Sequence, residues 1–223
     1  MPMTVSDLTD VTALPPAWRS LGEVVRPWEA LAWLDALLDE LEPLLEGSIH
    51  PTAVVEGPVR LEAGARIGPH AYVSGPAWLG PGASIGHGAR VRGGVIMGAG
   101  ATVGHASEVK RAIVLEQAKV PHFNYVGDSL LGRRVNLGAG VKCANLKTLG
   151  RDVRVGETRT GLRKLGAMLG DDVSIGCNTV LAPGTLIGSG SVVYANASVR
   201  GVIAPRTLVK VTILTDQVPL RDD

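Results

Sequence analysis

From Ser48 to Lys119 the chain reads SIHPTA VVEGPV RLEAGA RIGPHA YVSGPA WLGPGA SIGHGA RVRGGV IMGAGA TVGHAS EVKRAI VLEQAK, twelve six-residue units with no remainder. The second position is aliphatic in all twelve: Ile49, Val55, Leu61, Ile67, Val73, Leu79, Ile85, Val91, Met97, Val103, Val109 and Leu115. The sixth is small or apolar in eleven, Lys119 being the exception. Neither the helical nor the strand period produces such a repeat. A chain that turns a corner after every unit does produce it. It makes short parallel strands on three flat walls, with the aliphatic residue inside a prism and the small one fitting beside the corner. Three units complete a coil, so residues eighteen apart should stack about 4.8 Å apart on neighbouring rungs.

This hexapeptide pattern resembles the left-handed parallel β-helix, an exception to the usual right-handed crossover. The expected fold is therefore mainly β, a left-handed β-helix of hexapeptide repeats preceded by an α-helix. After Leu115 the repeat slips: the next aliphatic residue would fall on Pro121, and the pattern resumes four residues late at Tyr125, then Leu131, Leu137 and Cys143. It breaks again over 146–168, a stretch carrying Lys147, Arg151, Asp152, Arg154, Glu157, Arg159, Arg163 and Lys164, which should leave the prism as a loop or hairpin. It returns at Leu169, Ile175, Leu181, Ile187, Val193 and Val199. The predicted organisation is a lead-in and helix over 1–47, the β-helix over 48–204, and a C-terminal strand and tail over 205–223. In the lead-in, Pro27, then Leu31, Leu34, Leu38, Leu41 and Leu45 at three- and four-residue spacing, and Gly47 as a stop, predict an amphipathic helix of four to five turns. Its apolar stripe either covers an end of the main domain or meets another subunit. The T-L-V-K-V-T-I-L stretch from Thr207 reads as a final strand, and it or the helix is placed to cap the open end.

With 29 Gly and only 8 aromatics (4 Trp, 3 Tyr, 1 Phe), the composition suits a Gly-punctuated repeat better than an aromatic-packed core. The 22 Lys plus Arg against 21 Asp plus Glu leave a net charge of +1, with no long-range field to recruit nucleic acid or an anionic membrane. There is no twenty-residue apolar span and no apolar signal core near Met1, and Cys143 and Cys177 sit at ordinary repeat positions. The expectation is a cytoplasmic protein without disulfides.

Arg92 and Lys110 are eighteen apart and each follows an inward residue, so the coil map stacks two cations on one wall. Such a pair suits a phosphate, or it is simply a solvated pair of surface cations. Glu108 lies beside them. His122 falls where the repeat is broken, next to Pro121, and an imidazole can take a proton near neutral pH. On the coil map it sits two walls round the prism from the cation pair, so a neighbouring subunit's wall would complete the site. Tyr125, Asn136 and Asn145 follow, the two amides able to bond a sugar hydroxyl or a thioester carbonyl. His87 and His105, also eighteen apart, invite a metal reading. No two of the five histidines have the five-residue spacing of zinc sites shared between trimer subunits, and no metal ligands are assigned. The P-loop, H-E-x-x-H and G-x-S-x-G motifs are absent.

Four stretches carry a resemblance: E-V-K-R-A from Glu108, P-H-F-N-Y-V-G-D from Pro121, V-N-L-G-A-G-V from Val135 and C-A-N from Cys143. They resemble the acetyltransferase half of bifunctional glucosamine-1-phosphate acetyltransferase/N-acetylglucosamine-1-phosphate uridyltransferase, most specifically over Arg92 to Asn145. The G-L-R-K-L-G-A run from Gly161 resembles the longer archaeal-type relatives. The resemblance implies that His122 deprotonates the amine of glucosamine 1-phosphate, which attacks acetyl-CoA directly. It implies that Arg92, Lys110, Tyr125 and Asn136 hold the sugar phosphate, Glu108 supports the base, and Asn145 orients the reacting groups. Ala139, Asn145, Cys177 and Ala195 would contact acetyl-CoA, no metal would be required, and the assembly would be a homotrimer in UDP-N-acetylglucosamine biosynthesis. The family's Asn-Tyr pair reads Asn145-Leu146 here, and Cys177 stands where Ser is usual. The fifty or so residues before the repeat are too few for a nucleotidyltransferase domain, so a separate nucleotidyltransferase is an expected partner. A non-catalytic sugar-phosphate-binding scaffold is the rival reading, and gluco against galacto, or 1-phosphate against UDP-linked sugar, stays open.

Overall fold

The computed structural model describes residues 3–212, and within them short parallel strands stack into a three-walled coil, the left-handed β-helix that the hexads call for. The first wall holds Tyr72–Ser74, Arg90–Arg92, the start of Glu108–Val114, the start of Tyr125–Leu131, and Lys142–Cys143. The second holds Ala77–Leu79, Val95–Met97, the ends of those two long strands, and Met168–Leu169. On the third are Ser84–Ile85, Thr102–His105, Lys119–His122, Asn136–Leu137 and Ser174–Ile175. Inside the prism Val73, Val91, Val109, Val126 and Cys143 are fully buried on the first wall, and Ile67, Ile85, Val103, Val120 and Leu137 form the file on the third.

The slip is not where the repeat count puts it. Val91 pairs with Val109, eighteen residues on, yet Val95 pairs with Ala112 and Met97 with Val114, seventeen on. One residue has been lost at the corner around Arg111. In the coil before, Gly93 and Gly94 make that turn, both at positive φ; Arg111 makes it alone, at φ 42°, and Asp128 does so again at φ 47°. Inward residues are therefore Val114 and Val126 rather than Leu115 and Tyr125: Leu115 faces the N-terminal layer, and Tyr125 faces outward. After Cys143 the same corner is where the chain leaves the prism. It makes an antiparallel hairpin, Arg154–Val155 with Thr158–Arg159, and returns so that Leu131 pairs with Leu169.

The second wall is covered. Its strands are apolar on both faces, with Val95, Ile96 and Met97 all fully buried, and Leu130 and Leu131 likewise. A strand buried on both faces loses the usual alternation. Ile96, Ile113, Leu130, Met168 and Leu186 point outward into a layer built by Val5, Leu8, Trp18, Leu21, Trp28, Leu31, Leu34 and Leu38, joined by Val153, Val155 and Leu165 of the excursion. The helix is Ala30–Asp39, entered through a 3₁₀ turn Pro27–Glu29, and is shorter than its leucine spacing suggests. Leu44–Leu45 is already a strand pairing with Arg60 and Leu61, so neither Leu45 nor Gly47 belongs to the helix. The helix neither caps an end nor faces away: it roofs its own second wall. Leu208–Val209 forms a last rung beside Val192–Val193, and the remainder of the proposed final strand, from Ile213, lies outside the described residues. No helix among the described residues is long and apolar enough to cross a membrane.

Candidate active site

With the second wall roofed, the first wall and the corner between the third and first walls are where polar side chains gather in the open. Register places Arg92, Lys110 and Gly127 on successive rungs of the first wall. Arg92 Nη1 donates to Glu108 Oε1 at 2.8 Å, and this bond, reinforced by the carboxylate's charge, holds the guanidinium's acidity below its ordinary level. Lys110 Nζ donates to Asp128 Oδ2 at 3.2 Å. Each cation thus has its own carboxylate, which is what allows two of them to stand one rung apart. Each keeps unused donors, since Arg carries five N–H groups and an ammonium three.

Tyr125 and Asn145 close over Gly127. A Cβ built on Gly127 would lie 2.6 Å from the Tyr125 hydroxyl and 2.7 Å from Asn145 Nδ2, so only a glycine leaves room for both. Burial, with the nearby Asp128 charge adding to it, pushes the phenol above its ordinary value and keeps it protonated. Asn145 Nδ2 donates to Asp128 in a short bond. Arg111 joins the cluster from the corner, with Nη2 to Asp35 Oδ2 at 2.5 Å and Nη1 to Asp128 Oδ1 at 3.6 Å, tying the roof helix to the site. A cleft of about 130 Å³ behind Arg111, lined by Arg26, Trp28, Leu31 and Leu162, reaches neither Tyr125 nor His122.

His122 ends the strand Lys119–His122 on the third wall, at the corner that opens into the first. It is two walls on from the cation wall along the chain, which in a three-walled prism is one corner away. Its ring is exposed and takes no hydrogen bond from any described residue. The corner beneath it is rigid: buried Asn124 accepts the His122 N–H at 2.9 Å on Oδ1 and donates from Nδ2 to the Gly138 carbonyl at 2.7 Å. Above His122 the file continues through the backbone, Gly140 N to the His122 carbonyl at 3.0 Å, Asn178 N to that of Ala139 and Asn196 N to that of Cys177, each at 2.8 Å. Ala139, Cys177 and Ala195 therefore stand on the His122 corner, in line. Below it stand His105 and His87, whose rings stack at 5.0 Å with Nδ1 atoms 3.0 Å apart. Among the described residues no group of three or more His, Cys, Asp or Glu side chains gathers as a metal site.

Of the residues singled out from sequence, Arg92, Glu108, Lys110, Tyr125 and Asn145 share one wall, and His122 with Ala139, Cys177 and Ala195 share the adjoining corner. Asn136 does not join them: it stands exposed on the third wall, between Lys119 and Ser174 in register. Glu108 is engaged with Arg92 rather than with His122. Two residues escaped the sequence reading. Asp128 closes the quoted Y-V-G-D run and turns out to be the hub of the polar cluster, while Asn124, between His122 and Tyr125 in the same run, is the buried brace of the corner.

These features define a hexapeptide-repeat β-helix protein with a polar site on one open wall. The family described as bacterial transferase hexapeptide (six repeats) matches residues 166–201, and the one described as GMPPB C-terminal domain matches 73–160. "Bifunctional protein GlmU" of Methanococcus maripaludis strain C7 is 45% identical over 195 residues, 86% of this chain and 47% of that protein. A "Bifunctional sugar-1-phosphate nucleotidylyltransferase/acetyltransferase" of Sulfurisphaera tokodaii is 39% identical over 93 residues, 40% of this chain and 23% of that protein. Among solved structures, UDP-N-acetylglucosamine acyltransferase from Campylobacter jejuni aligns with TM-score 0.40 and 17% identity over 72% of this chain and 70% of that one. The chain belongs among the relatives of the bifunctional GlmU proteins. It spans about half the length of those it matches.

Proposed function

We propose that the protein is an acetyl-CoA-dependent N-acetyltransferase acting on an amino-sugar 1-phosphate, with glucosamine 1-phosphate as the first substrate to test. The observation that carries this reading is the junction of two features at one corner: an exposed imidazole with no side-chain partner among the described residues, and a wall bearing two cations, a protonated phenol and an amide. Kinship with the GlmU proteins supports it. The phosphate takes the unused donors of Arg92 and Lys110, with Tyr125 alongside. That binding energy acts away from the reacting carbon and fixes the amine near His122. Acetyl-CoA lies along the corner file of Ala139, Cys177 and Ala195, whose short side chains leave its path open.

The neutral amine attacks the thioester carbonyl while His122 takes its proton, a contribution of typically about 10²–10⁴-fold. The tetrahedral oxyanion is met by a preorganised donor, the second N–H of the Asn145 amide or a corner backbone N–H. Collapse breaks the C–S bond, the leaving thiolate recovers the proton from the imidazolium, and the products are the amide and CoA. No acyl-enzyme forms and no metal takes part. His122 stands on an open corner, so a neighbouring copy supplies the missing wall in a homotrimer, and Asn136 on the third wall is placed to serve a neighbour's site rather than its own.

Purified protein with acetyl-CoA and glucosamine 1-phosphate should release CoA, and His122→Ala should lose at least about a hundredfold of that rate. A wild type inert toward glucosamine 1-phosphate, galactosamine 1-phosphate and UDP-amino sugars alike would replace this reading with the binding scaffold that partners a separate nucleotidyltransferase.

A further inference from the structure

The most buried charge among the described residues is one to which the proposed reaction assigns no step. Asp128 is 2% exposed, and a buried carboxylate is costly unless several donors meet it. Three do: Lys110 Nζ at 3.2 Å and Arg111 Nη1 at 3.6 Å, consecutive residues of the strand Glu108–Val114 in the rung below, and Asn145 Nδ2 from the rung above. Its backbone is held as firmly. The residue makes the shortened corner at φ 47°, its carbonyl accepts the Gly166 N–H at 2.8 Å where the excursion rejoins the prism, and its neighbour Ser129 accepts the Ala167 N–H at 3.0 Å.

We infer that Asp128 is a positioning residue whose Oδ2 holds Lys110 and Asn145 together. The inference rests on the acetyltransferase reading given above. An ionised carboxylate only accepts hydrogen bonds, so the atom of Asn145 facing it is the nitrogen, and the amide cannot flip without setting oxygen against oxygen. With one N–H committed to Asp128, the nitrogen is held over Gly127 against the Tyr125 hydroxyl, which takes the second N–H until an acyl oxygen displaces it. The same carboxylate draws Lys110 back from full engagement with a phosphate. Asp128 therefore sets two quantities in opposite directions: it favours the transition state through Asn145 and weakens ground-state binding through Lys110.

Asp128→Asn separates them. Lys110 and Asn145 share Oδ2 while Oδ1 faces Arg111. The uncharged amide either turns its NH2 onto Arg111 and keeps only neutral bonds to the other two, or turns it onto both; the charge that restrains Lys110 and anchors Asn145 is lost either way. In CoA-release kinetics, kcat should fall at least about tenfold while KM for glucosamine 1-phosphate stays level or drops. Combined with Asn145→Ala, Asp128→Asn should add no further loss, because both changes remove one interaction. By calorimetry the variant should bind glucosamine 1-phosphate as tightly as wild type or more so, with a steeper salt dependence. A raised KM, weaker binding, or losses that multiply in the double variant would each overturn the inference in favour of a merely structural Asp128. If wild type binds the sugar phosphate but does not turn over, the proposed reaction falls, and calorimetry alone decides the role of Asp128. If it neither binds nor turns over, both fall. Should Asp128→Asn fail to fold, Asp128→Glu keeps the charge, displaced by one methylene. It should show the same loss of kcat at level KM and the same absence of further loss beside Asn145→Ala.

Discussion

Raising the pH from 8 to 10 should destabilise the wild-type protein through one thiol inside the prism. Cys143 is fully buried on the inner face of the first wall, and burial pushes its thiol from the ordinary 9.0 up to about 12. A group whose folded value lies above its unfolded one leaves stability intact below the unfolded value; here it is lost as pH rises from 9.0 toward about 12. At pH 10 about nine in ten unfolded thiols are ionised while the folded thiol is not, which favours unfolding by about 1.4 kcal/mol; at pH 8 the effect is negligible. Tyr125, also raised, acts in the same direction at higher pH. The assay is urea unfolding at 25 °C for wild type and Cys143→Ala at both pH values. Substitution adds a fixed cavity cost at both, and Tyr125 and the lysines cancel in the comparison. Wild type should lose about 1.4 kcal/mol more than the variant on going to pH 10. Equal losses would refute the reasoning and, with it, the inward placement of Cys143 in the corrected register.

Two further substitutions probe what the walls do. Leu130→Ala, on the outer face of the second wall, should cost about 2–5 kcal/mol. It should loosen the layer around Trp18 and Trp28, so that near-ultraviolet signal is lost at lower denaturant than the β signal of the prism. Gly104→Ala places a Cβ 2.0 Å from the Pro121 carbonyl oxygen, against 3.1 Å for the nearest atom at Gly86. It should cost about 1–3 kcal/mol, displace the His122 rung and reduce CoA release more than Gly86→Ala does; equal effects at both glycines would argue against backbone contact at that rung.

Much of the architecture was legible in the hexads because a six-residue period admits few folds, and an aliphatic residue in every second position leaves one face to bury. The eighteen-residue spacing that follows from it pairs Val91 with Val109 and stacks His87 on His105. The site was legible in part. Residue types and spacing pointed to Arg92, Lys110 and His122, but which residues face inward depends on a residue count that a single omission corrupts. Arg111 and Asp128 each replace a two-residue turn by one left-handed residue, a change that leaves no mark on apolar periodicity over so short a span. That is why Leu115 and Tyr125 read as inward. The second wall did carry a readable sign of its roof: V-I-M, A-I-V, S-L-L and A-M-L run without the polar alternation that a solvent-facing strand needs.

Composition and period by themselves pointed to a three-walled coil with its aliphatic residues inside, since a six-residue period fits neither a helix nor an extended strand and is met by a chain that turns after every unit. Only the tertiary structure decided that Asp128 would meet Lys110, Arg111 and Asn145, that Asn124 would brace His122, and that the roof helix would reach the site through Asp35 and Arg111. Those contacts join residues far apart in the chain. Their partners are chosen by register between rungs and by where the excursion rejoins the prism, and both are set by packing and left-handed corners that local sequence does not encode.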